Sequence, residues 1–143
     1  MSRPPCPAAR PCASCPYRRS APSGLWAETE YALLPLYDLD TPDQPPGMLH
    51  CHQRDGRLCA GFAAVHDMDE NLGLRLAVTE GEITPAEAEA IRDYATTVPL
   101  WPSGFDAARH GMRDLGSPSP EAMAAAAKLT RLHPELLPAE NRP

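Results

Sequence analysis

Residues 49–61 read LHCHQRDGRLCAG, with Cys51 and Cys59 on either side of an Asp-Gly pair that signals a tight turn. Two histidines, His50 and His52, flank the first of these cysteines. Thiolates and imidazoles are the usual ligands of zinc in proteins. The stretch therefore suggests that a metal ion organises the part of the chain around it.

A second pair of cysteines lies upstream, in the sequence PCASCP at residues 11–16. Its two-residue spacing lets both thiolates face one cation, because the intervening turn points its amides inward. Two such pairs supply the thiolates of a tetrahedral site, although their separation along the chain is longer than in compact zinc ribbons. The sequence therefore predicts four metal ligands, Cys12, Cys15, Cys51 and Cys59.

A different ligand set is also compatible with these residues. In a tight hairpin around the Asp-Gly turn, Gln53 pairs with Leu58. His52 then shares a face with Cys59, while Cys51 points away. The ligands would be Cys12, Cys15, Cys59 and His52. We favour the all-cysteine set, because thiolates suit both zinc and iron–sulfur centres. In that case His52 is a hydrogen-bond partner of a ligand or an ordinary polar residue.

Two kinds of metal centre fit four cysteines. Zinc (Zn²⁺) is our first choice, because it needs no assembly machinery and stabilises small domains. An iron–sulfur cluster, 4Fe–4S or another type, is the second choice, since a proline directly after a ligand, as in Cys15-Pro16, recurs in ferredoxin-type sequences. A metal-free redox dithiol is the third, but the strand and helix that flank a thioredoxin-like site are not predicted here.

Arg18 follows the first cysteine pair, within the segment Tyr17-Arg18-Arg19. Its guanidinium could bind a phosphate or stabilise a negatively charged cluster. We favour a structural role, in which Arg18 neutralises part of the negative charge of a four-thiolate zinc centre, since such outer partners are common.

The composition is poor in large core side chains. Among 143 residues there are 2 Phe, 2 Trp and 4 Tyr, and much of the 43% hydrophobic content is alanine. The 18 prolines interrupt most apolar runs. Their number is well above the usual share of about 5%. A chain of this kind benefits from a cross-link that stabilises its small core (a staple), such as a metal ion bound by thiolates.

Net charge and hydropathy limit the classes of protein and the compartments that we expect for this chain. A net charge of −6 argues against general nucleic-acid binding. No apolar stretch reaches the roughly 18 residues of a membrane span, and residues 1–12 lack the apolar segment of a secretory signal. We therefore expect a cytoplasmic protein, in which clustered cysteines more often bind metal than form disulfides. The odd number of cysteines, 5, also weakens a disulfide framework.

Helical periodicity and capping signals dominate from residue 25 onward. Thr84–Glu87 forms a capping box with proline at the first helical position. Residues 71–80 are ambiguous, since their leucines alternate as in a strand, but Asn71 and Gly81 are good helix boundaries and favour a helix. Phe105 is predicted to face inward. The predicted helices span residues 25–34, 60–66, 71–80, 84–98, 103–112 and 119–132.

The fold class that follows is mainly α. We predict a disordered or extended arm over residues 1–11, a single metal-stapled helical domain over 12–133 and a loose tail over 134–143. The N-terminal half of the domain is irregular and organised by the four-cysteine metal site. Cys6 lies in the arm and is predicted to be a free surface thiol.

The order of the motifs resembles a family of short proteins of unknown function from actinobacteria and their phages. The resemblance covers most of residues 11–115, and family members more often have Trp where this chain has Tyr17. It implies that the four cysteines and His52 act as a unit in an actinobacterial or phage setting, and it implies no reaction. The matching segments are Cys12–Arg18, Pro22–Trp26, Cys51–Gln53, Cys59–Gly61 and Asn71–Leu76.

Outside the cysteines, the strongest polar cluster is a group behind the second predicted helix, which we interpret as a solvated helix end. It comprises His66, Asp67, Asp69 and Glu70. The sequence contains no P-loop, nucleophile elbow, dinucleotide fingerprint or HExxH motif. No catalytic residue is assigned, and an enzyme is not favoured.

The leading functional expectation is a metal-binding interaction or regulatory module with a protein partner. The alternative is an iron–sulfur protein that senses redox state or transfers electrons. A weaker alternative is a metal-dependent enzyme, which would require an open coordination position on the metal.

Overall fold

The computed structural model describes residues 7, 9–51, 57–130 and 134–138. Within these ranges the chain is mainly α-helical, as predicted, with isolated β-bridges and no extended strand. No helix in the described ranges combines the length and hydropathy needed to cross a membrane. The α-helices are α1 (Glu28–Leu33), α2 (Ala60–Val65), α3 (Leu72–Thr79), α4 (Pro85–Arg92), α5 (Gly104–Met112) and α6 (Pro120–Leu129). Short 3-10 turns cover Leu34–Asp38, Thr41–Asp43, Met68–Glu70 and Pro134–Leu136.

Side-chain caps account for most helix starts. Thr84 and Glu87 form the predicted capping box at the start of α4. Asn71 Oδ1 accepts the Leu74 N–H at 2.9 Å, which starts α3 and settles the ambiguous segment as a helix. A cap satisfies a backbone donor that would otherwise lack a partner in the first turn. The alternating leucines therefore do not produce a strand.

Two predictions about the helices are wrong. The helix expected over residues 84–98 ends at Arg92. Beyond it, the Thr96 hydroxyl accepts the Val98 N–H, a local bond that competes with helix formation, and the residue before Pro99 is disfavoured in a helix. Phe105 is 58% exposed rather than inward, because α5 turns its small residues to the core.

The buried core is continuous, and it combines the few large aromatics with the cysteines. Tyr17, Trp26, Tyr31 and Phe62 are its largest fully buried side chains. The same cluster contains Cys12, Cys15, Cys51 and Cys59. The candidate site is therefore part of the core of the domain, not an appendage to it.

Helix α5 packs closely on α1 because its inner face is made of glycine and alanine. The Tyr31 ring lies directly against Gly111, so closely that a Cβ at this position would overlap the ring. The ring also fixes the backbone before α1, since its hydroxyl accepts the Trp26 N–H at 3.0 Å.

We expect Gly111→Ala to lower the free energy of unfolding by roughly 1–3 kcal/mol, because the added methyl group forces Tyr31 out of its packed position. Alanine's higher helix propensity works in the opposite direction and is smaller. The measurement is urea unfolding followed by circular dichroism. Gly116→Ala is the control, since nothing lies near its added Cβ. Equal stability of the two variants would contradict the packing argument.

Candidate thiol site

The first cysteine pair is held by a tight turn. The Cys15 N–H donates to the Cys12 carbonyl at 3.0 Å, and the Arg18 N–H donates to the Cys15 carbonyl at 2.9 Å. The buried Trp26 indole N–H donates to the Ser14 carbonyl at 2.8 Å, inside the turn. These bonds direct both cysteines into the core and explain why a tryptophan follows the pair at this distance.

Arg18 braces the backbone beside this turn. Its guanidinium donates to the Pro11 carbonyl at 3.0 Å and, through Nε, to the Ser20 hydroxyl at 2.9 Å. The backbone of Arg18 also forms an antiparallel bridge with Leu100. The side chain thus stabilises the segment that leads into Cys12, and its predicted role in neutralising thiolate charge stays a prediction.

The second cysteine pair lies on two antiparallel segments. The Cys51 N–H donates to the Arg57 carbonyl at 2.7 Å, and the Cys59 N–H donates to the Leu49 carbonyl at 2.9 Å. His50 faces Leu58 between them. Both cysteines are buried and His50 is exposed.

This register overturns the hairpin that supported His52 as a ligand. In that hairpin Gln53 paired with Leu58, whereas in the structure His50 does. The observed register is preferred because it buries Cys51 instead of turning it away. His52 and Gln53 lie outside the described residues, so the choice between His52 and Cys51 as a ligand stays a prediction. Cys6 also lies outside them.

The four predicted cysteines come together as free, buried thiols. The Sγ atoms of Cys15 and Cys59 are 3.9 Å apart, although these residues belong to distant segments. Cys51 is the largest cause of the raised pKa of Cys12, so these two thiols are also neighbours. The structure therefore joins each cysteine of the CxxC turn to one cysteine of the second pair.

The surroundings of Cys12 and Cys15 favour the protonated state of these two thiols. Hydrogen bonding to Cys51, burial and the proximity of Cys15 raise the pKa of Cys12. Hydrogen bonding to Cys59 and burial raise the pKa of Cys15, and a bond from the Tyr17 backbone opposes them. Cys59 also caps α2, because its sulfur accepts the Phe62 N–H at 3.4 Å.

Gly61 allows the two cysteine segments to meet. A Cβ at this position would lie 2.6 Å from Cys15 Sγ and 2.8 Å from the Tyr17 Cβ, far inside normal contact distance. The glycine that follows Cys59 in the sequence Cys-Ala-Gly is thus explained by the close approach of the CxxC turn to α2.

The thiols do not form a completed coordination shell. In the ranges that the structure describes, no group of three or more His, Cys, Asp or Glu side chains has an arrangement that could hold a metal ion. The cysteines instead form two neighbouring pairs, Cys12 with Cys51 and Cys15 with Cys59.

A buried polar chain begins beside the thiols. The Tyr17 hydroxyl and His66 Nε2 are hydrogen-bonded at 2.7 Å, and His66 Nδ1 lies 3.5 Å from Asp38 Oδ1. The Asp38 carboxylate also accepts the backbone N–H groups of Gly104 and Phe105 at the start of α5. The carboxylate favours the tautomer with the proton on Nδ1, so that Nε2 accepts from Tyr17.

Sequence reasoning missed this chain, because it placed His66 in a solvated helix end. In the structure His66 is only 9% exposed and packs against the rings of Tyr37 and Phe62. The available signal was helical spacing, since His66 follows Phe62 by four residues and shares its face. The neighbouring Asp67, by contrast, is exposed, as predicted.

A model of one sequence family covers most of the chain. The model of a family of unknown function, DUF6283, matches residues 7–136, which span the CxxC turn, the second cysteine pair and all the α-helices described above. The chain belongs to DUF6283. The family description assigns no activity. No curated protein and no solved structure matches the chain.

We expect the stability of this DUF6283 domain to fall as the pH drops from about 6.5 to about 4. Burial lowers the pKa of His66 to about 4, and Asp38 partly opposes the effect. In this window the unfolded chain binds a proton on this histidine and the folded chain does not. The loss amounts to roughly 3 kcal/mol at most.

The test compares urea unfolding of the wild type and His66→Gln at several pH values under identical metal conditions. The wild type should lose stability more steeply than the variant on acidification, since glutamine does not titrate. Parallel pH profiles would contradict the assignment of this slope to His66.

Proposed function

We propose that the chain binds one zinc ion through Cys12, Cys15, Cys51 and Cys59, and that the loaded domain serves as an interaction or regulatory module. The observation that supports the proposal most is the 3.9 Å separation between Cys15 Sγ and Cys59 Sγ. Two thiolates on one tetrahedral zinc, each about 2.3 Å from the ion, lie about 3.8 Å apart. The buried Cys12–Cys51 pair supplies the remaining two sulfurs.

A bound zinc ion would act as a Lewis acid and would take the place of the protons on these thiols. Each cysteine would lose its proton on binding, so metal affinity would depend on pH. The bonds would tie the CxxC turn, the segment that contains Leu49 and Cys51, and the start of α2 to one ion. A proline-rich chain with few large core residues gains most from such a cross-link.

The free thiols also support a reducing setting for the protein, such as the cytoplasm. Cys15 and Cys59 contact each other without a disulfide. In an oxidising compartment such neighbouring thiols tend to form a bond. The resemblance to actinobacterial and phage proteins is compatible with this proposal.

An iron–sulfur cluster is the second candidate. The arrangement of the sulfurs in two pairs is the observation that supports it. Four cysteines ligate both the two-iron and the four-iron types of cluster. In a two-iron cluster two cysteines share each iron, which would match the pairs Cys12–Cys51 and Cys15–Cys59. Such a protein would sense redox state or transfer electrons.

We expect a colourless protein with about one zinc per chain after purification without oxygen. Elemental analysis measures the bound metal, and an absorption spectrum shows whether the protein absorbs visible light. A brown protein with visible absorption and bound iron would replace zinc by the iron–sulfur candidate. A protein with neither metal would contradict both.

We expect serine at any one of the four cysteines to lower zinc content and the melting temperature together, because removing a ligand leaves an incomplete site. Thermal melts with and without a chelator, alongside elemental analysis, make the comparison. Cys6→Ser is the matched control, since the same chemical change there should leave both quantities unchanged. A wild-type melting temperature that is insensitive to the chelator would contradict the stapling role.

A further inference from the structure

A groove of about 980 Å³ opens on the surface at the end of the Tyr17–His66–Asp38 chain. Tyr37, Gln44 and His66 are its buried lining residues. Its volume lies at the upper end of the range of roughly 300–1,000 Å³ for ligand sites. The groove is therefore much larger than a single cation requires.

One exposed large apolar side chain, that of Leu39, lines this groove. In the described part of the chain, the exposed large hydrophobic residues are Leu36, Leu39, Phe105 and Met123. The first two flank Asp38 in sequence, and the Phe105 N–H donates to the Asp38 carboxylate at 2.7 Å. Leu39 itself is 45% exposed. An exposed leucine in a groove of this size is a feature that contact surfaces often show.

The charge of the groove is negative. Its lining contains one guanidinium, that of Arg75, which already donates to Glu70 Oε1 and to the Asp69 carbonyl. Asp40 starts a 3-10 turn without using its side chain as a cap. The carboxylates that line the groove are those of Asp38, Asp40, Asp67 and Glu70.

Asp38 is the best-ordered of these carboxylates. Each of its oxygens accepts one backbone N–H from the first turn of α5, at 2.9 and 2.7 Å. His66 lies beside it, and burial lowers the pKa of this imidazole to about 4, so His66 does not neutralise the carboxylate at physiological pH. A carboxylate oxygen has more than one acceptor site. Asp38 thus presents a fixed negative charge with remaining acceptor capacity.

We infer that this groove docks a basic peptide segment of a partner protein, with Lys or Arg side chains directed at Asp38 and Asp40 and apolar side chains against Leu39. The aliphatic stems of the basic residues cover the apolar lining, while their charged ends meet the carboxylates. This inference deepens the interaction role proposed above and rests on that role, but not on the identity of the metal.

The probe is a fluorescein-labelled peptide of six alternating leucine and arginine residues, with both ends capped, titrated by anisotropy into the metal-loaded full chain. We expect saturable binding that weakens as salt is raised. Leu39→Lys should weaken binding about tenfold or more, because its ammonium repels the arginines. Asp40→Asn should weaken it roughly threefold to fivefold, as one attractive charge is lost.

Two matched variants control for charge and for loss of an exposed apolar side chain. Asp93→Asn removes a carboxylate outside the groove, and Met123→Lys changes an exposed apolar residue on α6. Both should leave affinity within about twofold of the wild type. Equal weakening by these controls, or unchanged binding by Leu39→Lys, would overturn the inference.

Further ligands distinguish a basic peptide from a simple polycation as the occupant of the groove. A peptide with glutamate in place of arginine, or with serine in place of leucine, should bind at least about tenfold more weakly. Equal binding of the serine peptide, or displacement of the probe by equimolar spermine, would replace the peptide by a simple polycation. One zinc per chain without peptide binding would overturn this inference alone. If the chain purifies folded and without metal and still binds the peptide, the zinc proposal is overturned and this inference stands.

Discussion

The contact between the sulfurs of Cys15 and Cys59 joins parts of the chain that are far apart in sequence. Cys15 lies in a turn that is braced by Trp26, and Cys59 caps α2, so this contact fixes the turn against a helix. Gly61 makes the approach possible, because no side chain stands between the two backbones. In the irregular N-terminal half, the CxxC turn therefore packs against α2 through thiols that lie inside the core.

The same region positions the polar chain that leads to the surface. Tyr17 follows the CxxC turn directly, and its hydroxyl reaches His66 at the end of α2. His66 in turn lies beside Asp38, which caps α5. A continuous set of polar contacts thus runs from the residue that follows the CxxC turn to a carboxylate that lines the groove.

Local features of the helical part were predictable from sequence because each depends on neighbours in the chain. Asn71, Thr84 and Ser119 cap their helices with bonds to residues only three positions away. The errors have a matching cause. The length of α4 and the exposure of Phe105 depend on which face the rest of the fold covers, and periodicity alone does not decide that.

The sequence by itself determined the helical class and most of the helix starts, and it placed Cys12 and Cys15 on one turn, since caps and the CxxC spacing are local chemistry. Only the tertiary structure decided which cysteines pair, which register buries Cys51, and that His66 belongs to the core. These outcomes depend on backbone segments approaching across long sequence separations. Such an approach is selected by the total burial of side chains from all of the segments, and no single segment encodes it.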